Sequence, residues 1–323
     1  MNRILICLIS GALAVMGFTQ AAHAAAYPEK SVRIIVPQTP GGGTDILTRL
    51  LAQKLSQRWG QPVVVENKPG AGGIIGLEAV AKSPNDGYTL LMSSDGPLAI
   101  NVSLYKSLPY DPIKDFTAIA TVGSVSFLIA SRSDLPAKDF SEFVKLSQTS
   151  PNFSFGSAGN GSLNHLIGEM INQATNMKLM HVPYKGVAPA ITDLLGGRLT
   201  TVVATVPSIA TQIDGGALRA LAVTSAKRSA RLPNVPTIAE FGYPQFGVSP
   251  WIGLLAPGNL PQPIVDKINA DVNALLQDPD VKQKIVEQGM EPFATTPEQF
   301  RSRLRSDIER WGAVVKKAGV TLN

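Results

Sequence analysis

Pro37-Gln38-Thr39-Pro40-Gly41-Gly42-Gly43-Thr44-Asp45 lies between the apolar run Val32-Arg33-Ile34-Ile35-Val36 and a segment carrying Ile46, Leu47, Leu50, Leu51 and Leu55. The run reads as a buried strand, and the spacing after it as one face of an amphipathic helix. Three glycines between them free the backbone to turn its N–H groups toward one point. The helix start adds its own unpaired donors and the positive end of a dipole. Such a turn can hold an anion without lysine or arginine. It speaks of a ligand before it speaks of a reaction.

Working outward, strand-like and helix-like segments alternate through the chain. Val63-Val64-Val65-Glu66, Thr89-Leu90-Leu91-Met92, Phe127-Leu128-Ile129-Ala130 and Thr201-Val202-Val203-Ala204 read as strands. So do Met180-His181-Val182-Pro183-Tyr184 and Arg219-Ala220-Leu221-Ala222-Val223-Thr224. Helical patterns between them stop at Gly60, at Gly196-Gly197 and before Pro279. The last helix opens with Thr296-Pro297-Glu298-Gln299, a capping box with proline at its first position, and stops at Gly319. The alternation predicts an α/β fold with largely parallel sheets.

Residues 1–26 are set aside as a secretory signal peptide. A basic start at Arg3 is followed by an apolar stretch and the small-x-small site Ala22-His23-Ala24, so cleavage is expected after Ala24 or Ala26. The chain beyond it is expected to be exported. Cys7 is the only cysteine of the 323 residues and lies in that peptide, which excludes disulfides, thiolate nucleophiles and cysteine metal sites from the remainder. His165 and His181, the histidines that remain, have no short ligand spacing, so neither a metal nor a cofactor is expected. The net charge of +5 becomes +4 when Arg3 is removed and is spread along the chain. Dispersed charge with few aromatics argues against nucleic acid. About 300 residues exceed a usual single core, so two domains are expected. Gly-Pro clusters place crossings near Gly123–Phe127 and within Phe241–Gly247. They define one lobe from residues 27–125 with 248–323 and another from 126–247.

Three further loops could carry chemistry. Gly70-Ala71-Gly72-Gly73-Ile74-Ile75-Gly76 lacks the glycine that a dinucleotide fingerprint needs at position 75, and no acidic residue follows where ribose binding would want one. Ser93-Ser94-Asp95-Gly96-Pro97 ends a strand, where open α/β sheets bind ligands, although Ser and Asp there could equally bond their own turn. Gly156-Ser157-Ala158-Gly159-Asn160-Gly161-Ser162 repeats the chemistry of the opening turn ahead of a second apolar helix. A nucleophile elbow would need glycine at Phe155, and His165 reads as a packed helix histidine with no visible partner. Two anion-ready loops thus occur, able to hold both ends of a small dianion across a cleft.

The ordered set Val36-Pro37…Pro40–Asp45, Gly60-Gln61-Pro62…Gly73, Asp86-Gly87-Tyr88-Thr89-Leu90-Leu91, Gly156-Ser157-Ala158-Gly159, His181–Gly186 and Pro233-Asn234-Val235-Pro236-Thr237 resembles the receptors of tripartite tricarboxylate transporters, the Bug family. Tyr27-Pro28, Leu108-Pro109-Tyr110-Asp111-Pro112 and Leu218–Thr224 belong to the same set. The resemblance implies a two-lobed periplasmic binding protein of type II, each lobe a mixed, mostly parallel sheet flanked by helices. It implies capture of a small carboxylate by lobe closure, with no reaction, and delivery by a monomer to membrane transporter subunits. Carried over by residue, Gly42, Gly43, Thr44, Asp45 and Ser94 would line one wall and Ser157, Ala158 and Gly159 the other. Where the family reads Gly-Gly-x-Val-Asp and then Phe, this chain has Gly196-Gly197-Arg198-Leu199-Thr200-Thr201, so Thr205 and Val206 are expected at the side-chain end of the cleft. The missing aspartate favours a plain acid over an amino acid. The competing readings are an exported hydrolase using Ser157 or Asp45 and a sensor that docks on a membrane regulator.

Overall fold

The computed structural model describes residues 27–149 and 152–321. The expected signal peptide, its cleavage site and Cys7 lie outside the described residues. The chain begins with β1 (Val32–Val36), α1 (Gly43–Trp59), β2 (Val63–Asn67), α2 (Ile74–Ala81) and β3 (Thr89–Ser94). A π turn (Gly96–Ile100) leads into α3 (Asn101–Leu104), β4 (Phe116–Val125), β5 (Phe127–Arg132) and α4 (Phe140–Thr149). Next come β6 (Ser154–Ser157), α5 (Leu163–Thr175), β7 (Met180–Pro183), α6 (Val187–Leu195), β8 (Thr201–Thr205), α7 (Val206–Asp214) and β9 (Leu218–Val223). The last elements are β10 (Trp251–Pro257), α8 (Gln262–Gln277), α9 (Pro279–Glu287), β11 (Met290–Pro292) and α10 (Pro297–Ala318).

The strands form two sheets, β11-β4-β10-β3-β1-β2 and β7-β6-β8-β5-β9, each flanked by helices. The α/β class follows the alternation, but the sheets are less parallel than the alternation suggests. Among the described residues, four strand pairings are parallel and five antiparallel. The antiparallel pairs involve β4, β5 and β10, the strands that carry the chain from one sheet to the other. β4 leaves the first sheet at Val125, β5 enters the second at Phe127, and β10 returns at Trp251. A strand arriving from the other sheet has no crossover helix to set it parallel. The sequence patterns overlooked β4, β6, β10 and β11.

Among the described residues the core has three parts. One apolar cluster packs α1 and α8 on a face of the larger sheet, through Val36, Leu47, Leu51, Val265 and Ile268. Another packs α6 and α7 on a face of the smaller sheet, through Ile191, Leu194, Val202 and Ile209. The third runs between the sheets, joining Trp251, Trp311 and Val315 to Phe140, Ile167 and Ile171. Helix α10 is fixed at its start by the expected capping box: Thr296 Oγ1 accepts from Gln299 N–H at 3.2 Å, and Gln299 Oε1 accepts from Thr296 N–H at 3.0 Å. It ends at Gly319, whose φ of 66° is left-handed.

Candidate functional site

A cavity of about 420 Å³ opens between the two sheets, within the range of small-molecule sites. Gly43, Thr44, Ser94, Asp95 and Trp251 line one side; Phe127, Leu163, Thr205, Pro207 and Ser208 line the other. None of the described lining residues is lysine, arginine or histidine.

The opening turn forms the first wall. Helix α1 begins at Gly43, and its N-cap Gly42 offers no side-chain acceptor. Its first intrahelical bond runs from Ile46 N–H to Gly42 O at 3.0 Å. The N–H groups of Gly43, Thr44 and Asp45 therefore have no acceptor within the helix. Asp45 does not add a carboxylate to the cavity, because it is 3% exposed and turned inward. Its Oδ2 accepts from Gly41 N–H at 2.9 Å and Arg49 Nε at 3.0 Å, and its Oδ1 accepts from Asn67 Nδ2 at 2.9 Å. Burial raises the carboxyl pKa, but these three donors outweigh it and hold the group below its usual range. Asp45 thus locks the turn, and Gly41, at φ 83°, supplies a conformation that a side chain would strain.

The second wall starts from β8. Thr205 is the N-cap of α7, and its Oγ1 donates to Ser208 Oγ at 3.1 Å. Val206 N–H is taken up by Ser126 O at 2.9 Å, which ties this helix start to the β4–β5 crossing. Val206 itself is fully buried. Leu163, first residue of α5, also reaches the cavity.

Ser157, Ala158 and Gly159 are not among the residues lining the cavity. Ser157 is fully buried, and its Oγ accepts from Gly159 N–H at 3.0 Å and lies 2.6 Å from His181 Nε2. The sequence shows no histidine partner for Ser157, and the structure supplies one in His181. The parallel register pairs Phe155 with His181, so Ser157, two residues on, shares their face. His181 stacks on His165 at 3.7 Å between centroids, with Phe155 completing the pile. Gly168 makes room, since a Cβ there would overlap the Phe155 ring. Burial pushes His181 down to about 4, with the adjacent His165 ring adding to it, and burial also lowers His165. His165 Nδ1 accepts from Gly161 N–H at 3.2 Å.

Sequence reasoning placed Asp95 in a turn without assigning it to the site. It is fully buried, and neither carboxyl oxygen has a hydrogen-bond partner among the described residues. Trp251, Phe127, Ser208 and Met290 were also missed; only the strand ends at β3 and β8 gave a local signal.

Two helix-flanked sheets and a cavity between them, lined by the first residues of α1 and α7, fit a solute-binding protein. The sequence profile of the tripartite tricarboxylate transporter family receptor matches residues 47–320, and the chain belongs to that family. It is 38% identical over 320 residues to Protein BugT of Bordetella pertussis, covering 98% of both chains. Among solved structures it resembles R. palustris Rpa4515 with adipate, at 35% identity and TM-score 0.78, covering 91% of this chain and 99% of that one. It also resembles MatC (Rpa3494) from Rhodopseudomonas palustris with bound malate, at 31% identity and TM-score 0.72, covering 90% and 100%. The chain is a solute-binding receptor, and membership of the family implies a periplasmic location.

Proposed function

We propose that this receptor captures a small aliphatic dicarboxylate between its lobes, residues 27–125 with 248–323 and residues 126–247, and delivers it to a tripartite transporter in the membrane. One carboxylate sits at the start of α1, on the backbone of Gly43 and Thr44 with the hydroxyl of Ser94. The other lies at the start of α7, where the hydroxyls turn from their present bonds, Thr205 Oγ1 to Ser208 Oγ and Ser208 Oγ to Thr205 O, to donate to it. The observation that carries this is the cavity lining itself, which combines the open start of α1 and the first residues of α7 with no basic side chain among the described lining residues. Oriented peptide dipoles then stabilise the charge. The relatives solved with adipate and malate support the ligand class. Phe127 and Trp251 provide an apolar middle for the carbon chain.

We assign the site no reaction. Ser157 and His181 are in contact, but the serine hydroxyl is buried, bonded within its own loop and outside the cavity lining. A thermal-shift screen of mono-, di- and tricarboxylates, amino acids and amides tests the proposal, since a ligand raises Tm by mass action. Dicarboxylates should give the largest rise. A response confined to amines or uncharged amides would overturn it.

A further inference from the structure

Beneath the cavity floor lies a charged cluster that the anion reading leaves unused. Asp307, on α10, accepts from Trp251 Nε1 at 2.7 Å and from Arg303 Nε at 2.8 Å. Arg310 Nη2 is 2.9 Å from Asp307 Oδ1, in an ion pair bent away from hydrogen-bond geometry, so its buried Nε and Nη2 keep no hydrogen-bond partner. Asp95 completes the cluster from the cavity side, lining the cavity with both oxygens unpartnered. Of the other elements packed here, β3, β4, β10, α3 and the turn at Gly96–Ile100 contain no titratable group, α5 brings His165 and Glu169 against α10, and the Tyr110 hydroxyl donates to Pro97 O at 2.6 Å. The charges that act on Asp95 are those of Asp307, Arg310 and Arg303.

Two guanidiniums and the Asp307 carboxylate sum to one positive charge. With Asp95 ionised the cluster is neutral; with Asp95 protonated one positive charge remains under the cavity floor. An ionised carboxylate buried without hydrogen bonds is costly, so the fold favours the neutral acid. Burial first, then the Asp307 charge, push Asp95 up to about 7 against the pull of the two arginines.

We propose that Asp95 makes capture proton-linked: the dicarboxylate binds the receptor whose Asp95 carries a proton, and the cluster's surplus positive charge faces the bound anion. This rests on the dicarboxylate reading of the cavity. An anion held above the cluster stabilises its positive form, so Asp95 holds its proton more tightly when the cleft is loaded. Affinity is full while Asp95 is already protonated and falls as pH rises past 7. The ligand's own carboxyls are ionised throughout that range.

The test is calorimetric titration of the full receptor with adipate and malate from pH 6 to pH 9. It is run in two buffers of different ionisation enthalpy, so that protons taken up are counted. Affinity is expected to weaken by about tenfold or more across the upper half of that range, with net proton uptake near pH 8. In Asp95→Asn the uptake disappears and affinity no longer varies with pH. Without ligand, wild-type stability should fall relative to Asp95→Asn as pH rises from about 4 to about 7, the signature of a carboxyl raised by folding. Binding of either acid with a flat profile and no proton uptake overturns this inference alone. Failure of both acids to bind at any pH overturns the dicarboxylate reading, and this inference with it.

Discussion

Ser157 Oγ and His181 Nε2 meet at 2.6 Å across two neighbouring parallel strands, beside a histidine stack with 3.7 Å between ring centroids. The contact braces the loop before α5. Replacing Ser157 with alanine strips a partner from the His181 nitrogen and from Gly159 N–H. Stability should drop by about 1–2 kcal/mol, read from the denaturation midpoint. Neither wild type nor variant should hydrolyse small carboxylate esters. Turnover that vanishes in Ser157→Ala would restore the hydrolase reading.

The same stack predicts an acid sensitivity. A histidine lowered by burial contributes stability that is complete above its unfolded value, 6.5, and is lost as pH falls toward the folded value of about 4. From pH 6.5 downward, wild-type melting temperature should therefore fall relative to that of a variant lacking this histidine, on top of the opposite trend from Asp95. His181→Gln should show a shallower decline than wild type. Equal slopes in the two proteins would place the acid sensitivity elsewhere.

Asp45 offers a test of the turn that forms the first wall. Asp45→Ala removes the acceptor of Gly41 N–H, Arg49 Nε and Asn67 Nδ2 together. A loss of about 2–3 kcal/mol is expected, with dicarboxylate affinity at least tenfold weaker because the amides of Gly43 and Thr44 lose their orientation. Unchanged affinity in a variant that is destabilised would remove the turn from the site.

Gly43→Val separates fold from ligand. A Cβ at Gly43 meets only Met290 Sδ, at 3.7 Å, and the backbone there needs no positive φ. The variant should fold with Tm nearly unchanged while its side chain fills the place of the carboxylate. Binding should be lost. Retained binding in calorimetry would contradict the α1 assignment.

Trp251 gives an optical readout. It lines the cavity, packs edge-on against Phe300 at 4.9 Å between centroids, and donates to Asp307 at 2.7 Å. Ligand should change the intrinsic fluorescence, and Trp251→Phe should abolish most of that change. The same substitution leaves Asp307 short of a donor and should destabilise by about 1–3 kcal/mol.

Local sequence carries much of this architecture. The strand at Val32, the uncapped helix start at Gly43 and the capping box at Thr296 are each written within a few residues. The inward turn of Asp45 is not, because it depends on Asn67 from the next strand. The histidine partner of Ser157 comes from a parallel neighbour 24 residues on. Asp95 reads as an ordinary turn residue until α10, some 200 residues later, brings Asp307 and two arginines against it. Backbone donors announce themselves through glycine and helix periodicity, whereas buried charge clusters exist only in three dimensions.

The start of α1 grips charge with peptide groups that every residue type possesses. The residues around it can therefore be exchanged, lengthening, narrowing or greasing the chamber, while the hold on a carboxylate persists. Affinity for the anion and choice among anions are separately adjustable in such a receptor. A lineage built on it can change its diet without first losing its appetite.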